Sequence, residues 1–226
     1  MLDSLAELLF PTRCAGCDLP GGLICARCAE RLPLIDPATA CPRCGAPTVS
    51  ECCVECADVS FAFSGARCAG VLEPPLSRMV ALHKDAGERR LAPALASLAL
   101  DALSGWLEWP DAICGVPASP AAVLRRGFDH GASLAASLGS LARIPAIEPL
   151  RCRPRLDQRA LTREQRRANA ARSIVPRRGV HVPSRVLLVD DVFTTGATLD
   201  AAACALLSAG AAEVRVVAVA RACGGG

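Results

Sequence analysis

The chain has 226 residues and a formal net charge of +3, a length that suits one medium domain and a small additional module. Apolar residues make up 52% of it and aromatic residues only 3%, so we expect a core of alanine, valine and leucine, as in an α/β domain with a parallel sheet. The longest alanine- and leucine-rich region, residues 91–105, is interrupted by Pro93 and Asp101, and the first ten residues carry two acids and no basic group. These features argue against a membrane span or a secretory signal and predict a cytoplasmic protein.

The N-terminal part is rich in cysteine: nine of the fourteen cysteines lie between Cys14 and Cys56, mostly as C-x-x-C pairs. A C-x-x-C…C-x-x-C unit occurs twice, with an offset of 27 to 28 residues. Without an export signal, this pattern favours metal thiolates in a reducing compartment over disulfides. It predicts two four-thiolate zinc sites.

The simplest assignment of the zinc ligands is sequential, and an interleaved assignment stays open. The first site then takes Cys14, Cys17, Cys25 and Cys28. The second takes Cys41, Cys44, Cys56 and either Cys52 or Cys53, of which Cys53 completes a C-x-x-C pair. We expect a structural role, because a module of this size buries too little surface and zinc contributes about 10 kcal/mol or more of folding free energy.

After residue 62 the pattern becomes alternating strand and helix, which predicts a module of residues 1–62 and a domain of residues 63–226. Apolar runs and helical periodicity predict, in chain order, strand 65–72, helix 90–104, strand 112–116, helix 133–141, strand 186–189, helix 198–209 and strand 214–220. This order is that of parallel βαβ units. Cys68, Cys114 and Cys204 lie in apolar runs and are expected to be buried.

An arginine-rich stretch precedes the last two strands. Between Arg143 and Arg185 there are twelve arginines and three acids, a local excess of nine positive charges. The stretch has little apolar periodicity, so we expect part of it to be loop. An anionic ligand is expected nearby.

The most informative stretch follows the strand 186–189. Asp190 and Asp191 are expected at the carboxyl end of that buried strand, where open α/β sheets bind ligands. The next residues form a hydroxyl-rich loop that opens a helix, so backbone N–H groups and side chains can hold one phosphate. The candidate phosphate-binding residues are Thr194, Thr195, Gly196, Ala197 and Thr198. A capped turn with surface acids would explain only one or two of these residues.

This stretch resembles the phosphoribosyl pyrophosphate signature of type I phosphoribosyltransferases, and nearly the whole chain resembles the ComF family (ComFC/GntX-like). The resemblance implies an α/β fold, a type I phosphoribosyltransferase with a parallel sheet flanked by helices, preceded by a small zinc-ribbon module. It implies that Asp190 and Asp191 are catalytic and hold the ribose 2′- and 3′-hydroxyls, while the threonine loop holds the 5′-phosphate. Phosphoribosyl pyrophosphate would bind with Mg²⁺ held mostly by substrate oxygens and water.

Three further segments carry the family resemblance. Val116-Pro117 followed by Arg126-Gly127-Phe128 resembles the VP…RGFN element, with Asp129 and His130 where Asn and Gln are common. Arg125 and Arg126 are therefore candidates to hold pyrophosphate, against the alternative of exposed arginines on a helix flank.

The second segment, Gln158-x-x-Leu161 with Arg166 and Asn169, resembles a family stretch that supplies a mobile loop. His83-Lys84, with Gly87 and Leu91, resembles a third family element. Lys84 could reach a phosphate, but we interpret it as a lone surface lysine, and we assign no role to His83.

Three functions remain open at this point. The chain is either a phosphoribosyltransferase with an unknown acceptor, a single-stranded DNA-binding competence protein acting in DNA uptake and natural transformation, or a regulator that senses phosphoribosyl pyrophosphate without turnover. Low aromatic content weakens the DNA interpretation, because base stacking uses aromatic side chains. Neither the acceptor nor the oligomeric state can be predicted.

Overall fold

The computed structural model describes residues 11–48, 53–153 and 173–224. Its N-terminal part consists of turns and one short helix, α1 (Ala26–Glu30). The sequence repeat is also a structural repeat: the bridge Arg13↔Pro20 of the first unit has its equivalent in Ala40↔Pro47 of the second. Turn hydrogen bonds correspond as well, because the amide of Cys14 donates to Leu19 as that of Cys41 donates to Ala46.

The domain that follows is built on a parallel sheet of five strands in the order β1-β7-β6-β2-β3. These strands are β1 (Ala66–Val71), β2 (Ala112–Gly115), β3 (Ala146–Ile147), β6 (Arg185–Phe193) and β7 (Glu213–Arg221). A separate antiparallel pair is formed by β4 (Leu150–Cys152) and β5 (Ile174–Pro176). The α/β fold with a parallel sheet flanked by helices is confirmed.

Within the described residues, five further helices and a 3₁₀ turn (Arg89–Leu91) connect the strands. They are α2 (Leu76–Lys84), α3 (Ala92–Ala102), α4 (Pro120–Arg126), α5 (His130–Ala142) and α6 (Ala197–Ser208). Leucines of α2, α3 and α5 form one core with Leu187 and Val189 of β6. Val186 and Leu188 point to the opposite face and pack with α6 and the cysteine-rich module. The second cysteine unit therefore shares this face with α6, whereas Ala15, Leu23 and Leu32 of the first unit belong to the core on the other face.

The expected burial of the scattered cysteines is confirmed for Cys68 and Cys114 and is wrong for Cys204, which is exposed. Helix α6 turns Leu199, Ala202 and Leu206 toward the sheet, so Cys204 lies on its outer face. Residues on both sides of position 62 share one core, and a domain boundary there stays a prediction. Among the described residues, no helix is long and apolar enough to cross a membrane.

Candidate functional site

The site lies where strand β6 extends past its neighbour β2. Gly115, the last residue of β2, pairs with Val189, whereas β6 continues to Phe193 by pairing with β7. The expected strand end at Val189 is therefore wrong by four residues, because β7 supplies hydrogen bonds that the sequence pattern does not reveal. Asp190 and Asp191 lie on this extension, beside the loop of residues 116–119 that leaves β2.

Both aspartates are buried and have basic neighbours from other elements. Lys84, the last residue of α2, donates to Asp191 Oδ1 at 2.9 Å. His130, the first residue of α5, has its Nε2 at 3.6 Å from Asp191 Oδ2 and 3.9 Å from Asp190 Oδ1. Asp191 is only 1% exposed, and its Oδ2 is buried without a hydrogen-bond partner in the described structure. The interpretation of Lys84 as a lone surface lysine is wrong.

These surroundings shift the pKa values of the cluster. Burial raises the pKa of Asp190 well above its usual value, and the neighbouring Asp191 carboxylate adds to this. Burial lowers the pKa of Lys84, but Asp191 and Asp190 outweigh it, so the net shift is upward. Burial also lowers the pKa of His130, with Lys84 and Arg126 contributing. The cluster therefore favours a charged lysine beside a neutral histidine.

Arg126 connects this cluster to the loop after β2. Its Nη1 lies 3.0 Å from Nδ1 of His130, and a guanidinium can only donate. Nδ1 of His130 therefore accepts, and in the neutral ring the proton is on Nε2, the nitrogen that faces the two aspartates. The Arg126 side chain is mostly buried and has an ion pair with Asp85 at 3.6 Å. Arg125, by contrast, is exposed.

The loop 116–119 is fixed by Asp129, the residue that replaces the usual asparagine of the family element. Oδ2 of Asp129 accepts from the amide of Ala118 at 2.9 Å, and Oδ1 caps helix α5 by accepting from Gly131 and Ala132. Gly131 allows the helix to approach the loop, since a Cβ at this position would lie 2.0 Å from the Val116 carbonyl oxygen. Asparagine has one acceptor oxygen and could make only one of these two sets of contacts, whereas the aspartate makes both.

The second loop, residues 194–196, opens helix α6. Gly196 has φ +78°, in the left-handed region, and as the N-cap residue it has no side chain to cap this twelve-residue helix. The amide of Ala197, the first residue of the helix, lies 3.5 Å from Oγ1 of Thr195. Thr194 and Thr195 are exposed and Thr198 is half-buried. The first amides of α6, the helix dipole and the threonine hydroxyls therefore make a site that suits a phosphate.

Between the two loops lies a cavity of about 380 Å³. Its lining residues are Lys84, Val116, Pro117, Ala118, Ser119, Ala122, Arg126, His130, Cys152, Ser173, Ile174, Asp190, Val192, Thr194, Gly196, Thr198 and Leu199. The predicted residues Asp190, Thr194, Gly196, Thr198 and Arg126 thus meet at one cavity. Asp191 lies beneath it, and the other predicted residues, Thr195, Ala197 and Arg125, do not line it.

Sequence reasoning set Lys84 aside as a surface lysine and missed His130 as a site residue. Both stand at the ends of helices that the parallel sheet brings to its carboxyl edge, and the family elements around them were the only available signal. Gln158, Leu161, Arg166 and Asn169 lie outside the described residues.

The cysteine-rich module forms two clusters of four thiols, which follow the sequential assignment. Cys14, Cys17, Cys25 and Cys28 form the first, and Cys41, Cys44, Cys53 and Cys56 form the second; in each, the sulfur atoms all lie within 4.8 Å of one another. The sulfur pairs Cys17–Cys25 and Cys41–Cys56 are 3.8 Å apart and Cys44–Cys53 is 3.6 Å. Tetrahedral zinc with bonds of about 2.3 Å requires a separation of about 3.8 Å, so both clusters are consistent with zinc ribbons. Cys53 belongs to the second cluster, while Cys52 lies outside the described residues.

Comparison with known proteins identifies the family. The family model for the phosphoribosyl transferase domain matches residues 122–225. The DNA utilization protein YhgH of Salmonella typhimurium is 32% identical over 227 residues, covering 92% of this chain and 96% of the relative. The chain belongs to the ComF/YhgH family.

A second ComF relative and one solved structure complete the comparison. The competence protein ComFC of Streptococcus pneumoniae is 28% identical over 62% of this chain and 60% of its own length. The structure of the purine phosphoribosyltransferase of Pyrococcus horikoshii matches 57% of this chain and 83% of its own at 22% identity, with a TM-score of 0.37. The family-model match begins at Ala122 and so leaves out the two four-cysteine clusters and the loop 116–119.

Proposed function

We propose that this ComF-family chain binds phosphoribosyl pyrophosphate and transfers its phosphoribosyl group to an acceptor. One observation carries the proposal. Buried carboxylates, the N-terminus of helix α6 and the positively charged side chains of Lys84 and Arg126 meet at a single cavity. A sugar with a phosphate at one end and a pyrophosphate at the other needs these three kinds of group. Phosphate alone would not account for two buried acids.

Each part of the ligand then has its own partner. Asp190 and Asp191 accept hydrogen bonds from the ribose hydroxyls, and residues 194–198 donate to the 5′-phosphate. The loop 116–119 offers the amide of Ser119, because Pro117 has no N–H and the amides of Val116 and Ala118 donate to Val189 and Asp129. Arg126 offers a guanidinium fork to the pyrophosphate. Arg125, exposed and away from the cavity lining, has no part in this arrangement.

The donor set also suits Mg²⁺, which prefers carboxylate oxygens. Asp190 and Asp191 would hold the ion together with substrate oxygens and water, and the buried Asp191 Oδ2 lacks a hydrogen-bond partner in the described structure. When bound, Mg²⁺ neutralises negative charge on the pyrophosphate.

In the proposed reaction, the bond between C1′ and the pyrophosphate oxygen breaks, and its electron pair leaves with pyrophosphate. The lone pair of the acceptor, expected to be a base nitrogen, forms the new bond to C1′. The aspartates stabilise positive charge that develops on the ribose, and Arg126 stabilises negative charge on the leaving group.

Calorimetric titration with phosphoribosyl pyrophosphate and Mg²⁺ tests the binding step. We expect Asp191→Asn to weaken binding about tenfold or more, since a hydrogen bond to a charged group contributes about 1.5–3 kcal/mol. Asp190→Asn should weaken binding less, because the raised pKa of Asp190 means that this substitution removes less negative charge. Asp111→Asn, at the opposite end of the sheet, is the control. Unchanged affinity in both Asp190 and Asp191 variants would rule out the ribose assignment.

Pyrophosphate release in the presence of a panel of bases separates a transferase from a sensor. Release that depends on one base identifies the acceptor. Binding without release for any base would favour the alternative of a regulator that senses phosphoribosyl pyrophosphate.

A second candidate function is binding of single-stranded DNA in DNA uptake or utilisation. Two observations favour it: the relatives are called a DNA utilization protein and a competence protein, and residues 143–185 carry nine excess positive charges. Of the twelve arginines, six are described, and two of these, Arg177 and Arg185, are paired with Glu148 and Asp111.

Zinc and location complete the proposal. We assign one structural zinc ion to each four-cysteine cluster. Clusters of zinc thiolates are typical of a reducing compartment, which supports a cytoplasmic setting.

A further inference from the structure

Arg221, the last residue of β7, lies directly beneath the loop of residues 194–196. It is 2% exposed, and its Nη1 donates to the carbonyl oxygens of Phe193 at 3.2 Å and Thr194 at 2.8 Å, and to that of Ala222. The guanidinium also lies 4.8 Å above the Phe193 ring. One buried side chain thus holds two consecutive carbonyl groups of the chain as it enters the loop.

The partner of this arginine comes from the cysteine-rich module. Nη2 of Arg221 lies 3.4 Å from Oε2 of Glu55, which stands between Cys53 and Cys56 of the second cluster. The other carboxylate oxygen of Glu55 accepts from the amide of Gly224 at 2.8 Å. A buried guanidinium needs such a counter-charge, and here a residue held between two metal-ligating positions supplies it.

The chain that leaves the second cluster also forms the floor of the loop. Phe61 and Phe63 stack with centroids 4.6 Å apart, and both meet the edge of Phe193. A Cβ on Gly196 would lie 2.6 Å from Phe61, so the loop rests against that ring. The amide of Ala62 donates to Asp200 in the first turn of α6 at 2.7 Å.

We propose that Glu55 and Arg221 are positioning residues through which the second four-cysteine cluster fixes the phosphate-binding loop. The cluster holds Glu55, Glu55 orients Arg221, and Arg221 sets the direction of the Phe193 and Thr194 carbonyls. Those carbonyls fix where the following threonines and the first amides of α6 point. The inference rests on the proposed function, since the ligand of this loop is the proposed 5′-phosphate.

The test uses the full-length, zinc-loaded protein and two probes that occupy different halves of the site. Binding of ribose 5-phosphate reports on residues 194–198, and binding of inorganic pyrophosphate reports on the loop 116–119. We expect Glu55→Gln and Arg221→Lys to weaken ribose 5-phosphate binding about fivefold or more, the lower end of the range for coupling between sites. Pyrophosphate affinity should stay unchanged, a split that general destabilisation would not produce.

Asp111→Asn is the matched control, because it removes a carboxylate from an arginine pair at the far end of β6. If Arg221→Lys fails to fold, Glu55→Gln decides alone, since Glu55 is partly exposed. The inference is overturned if Glu55→Gln binds ribose 5-phosphate as wild type does, loses affinity for both probes equally, or loses zinc. Absence of phosphoribosyl pyrophosphate binding by the wild-type protein would instead contradict the proposed function itself.

Discussion

Asp190 and Asp191 are adjacent in the sequence, yet their side chains have different partners. Asp191 is paired with Lys84 from α2, whereas the carboxylate of Asp190 accepts from the amide of Asp191 at 2.9 Å and has no cation within 3 Å among the described residues. Both carboxylates lie near His130, but of the two only Asp191 also has a lysine partner in the described structure. We expect them to contribute unequally to ligand binding for the same reason.

His83 makes the stability of the protein depend on pH. It is fully buried, both ring nitrogens lack hydrogen-bond partners in the described structure, and burial lowers its pKa from 6.5 to about 4. Between these values the unfolded chain binds a proton that the folded chain does not. The free energy of unfolding should therefore fall as pH drops from 6.5 to 4, by roughly 3 kcal/mol for this residue.

The substitution His83→Leu should remove most of that loss while leaving the protein at least as stable at pH 7, because it also removes a buried polar group without partners. Urea unfolding at pH 7 and pH 5 measures both effects, and His181→Gln, at an exposed histidine, is the control. An unchanged difference between the two pH values in His83→Leu would contradict the assignment of this pH dependence to His83.

What the sequence could predict at this scale was limited to residues close together in the chain. Asp190, Thr194, Gly196 and Thr198 come from one continuous stretch, and the structure brings them to one cavity. Lys84 and His130 come from separate helices, and no local pattern shows which helix end the sheet will bring to the acids. The contact between Glu55 and Arg221 spans 166 residues and had no sequence signal.

Helix α4 places two neighbouring arginines in different surroundings. Arg126 lines the cavity and contacts His130, whereas Arg125 faces solvent on the other side of the helix. We expect Arg126→Gln to weaken pyrophosphate binding about tenfold, as befits loss of a charge-assisted contact. Arg125→Gln, the matched control, should bind as wild type does. Calorimetry with pyrophosphate and Mg²⁺ measures both, and equal losses in the two variants would contradict the assignment.

The elements themselves were predictable where an apolar run was long. The strands at 65–72, 112–116 and 214–220 and the helices at 133–141 and 198–209 correspond to observed elements with shifted ends. Helix α2, helix α4 and the β4–β5 pair were missed, because each is short and mixes polar with apolar residues. The formation of these elements depends on their contacts with the sheet rather than on a periodicity in their own sequence.

The whole molecule joins a cysteine-rich module to a domain built on a parallel sheet. The cysteine-rich module has little secondary structure, and its second cluster packs into the core that also contains β6 and α6. We expect two zinc ions per chain, which elemental analysis of protein purified without chelator measures. Cys17→Ser should lower the value to about one and lower the melting temperature. A wild-type value near one would mean that a single cluster binds metal, and a value near zero would contradict the structural account.

The last prediction concerns single-stranded DNA and follows from the positive charge of the molecule. Pyrophosphate needs only two or three cations, so most of the nine excess charges between Arg143 and Arg185 are left for another anion. If four of them contact DNA phosphates, the logarithm of affinity should fall with that of salt concentration at a slope of about −3, with little base preference. A labelled oligonucleotide titrated across a salt series measures this slope. Replacing Arg163, Arg166 and Arg167 by Gln should reduce the magnitude of this slope by about 2. The control variant replaces three arginines that have carboxylate partners: Arg90, Arg177 and Arg185. It should change the slope less. Absence of binding at low salt would contradict the DNA function, and a slope unchanged by the first triple variant would exclude these arginines as the contact surface.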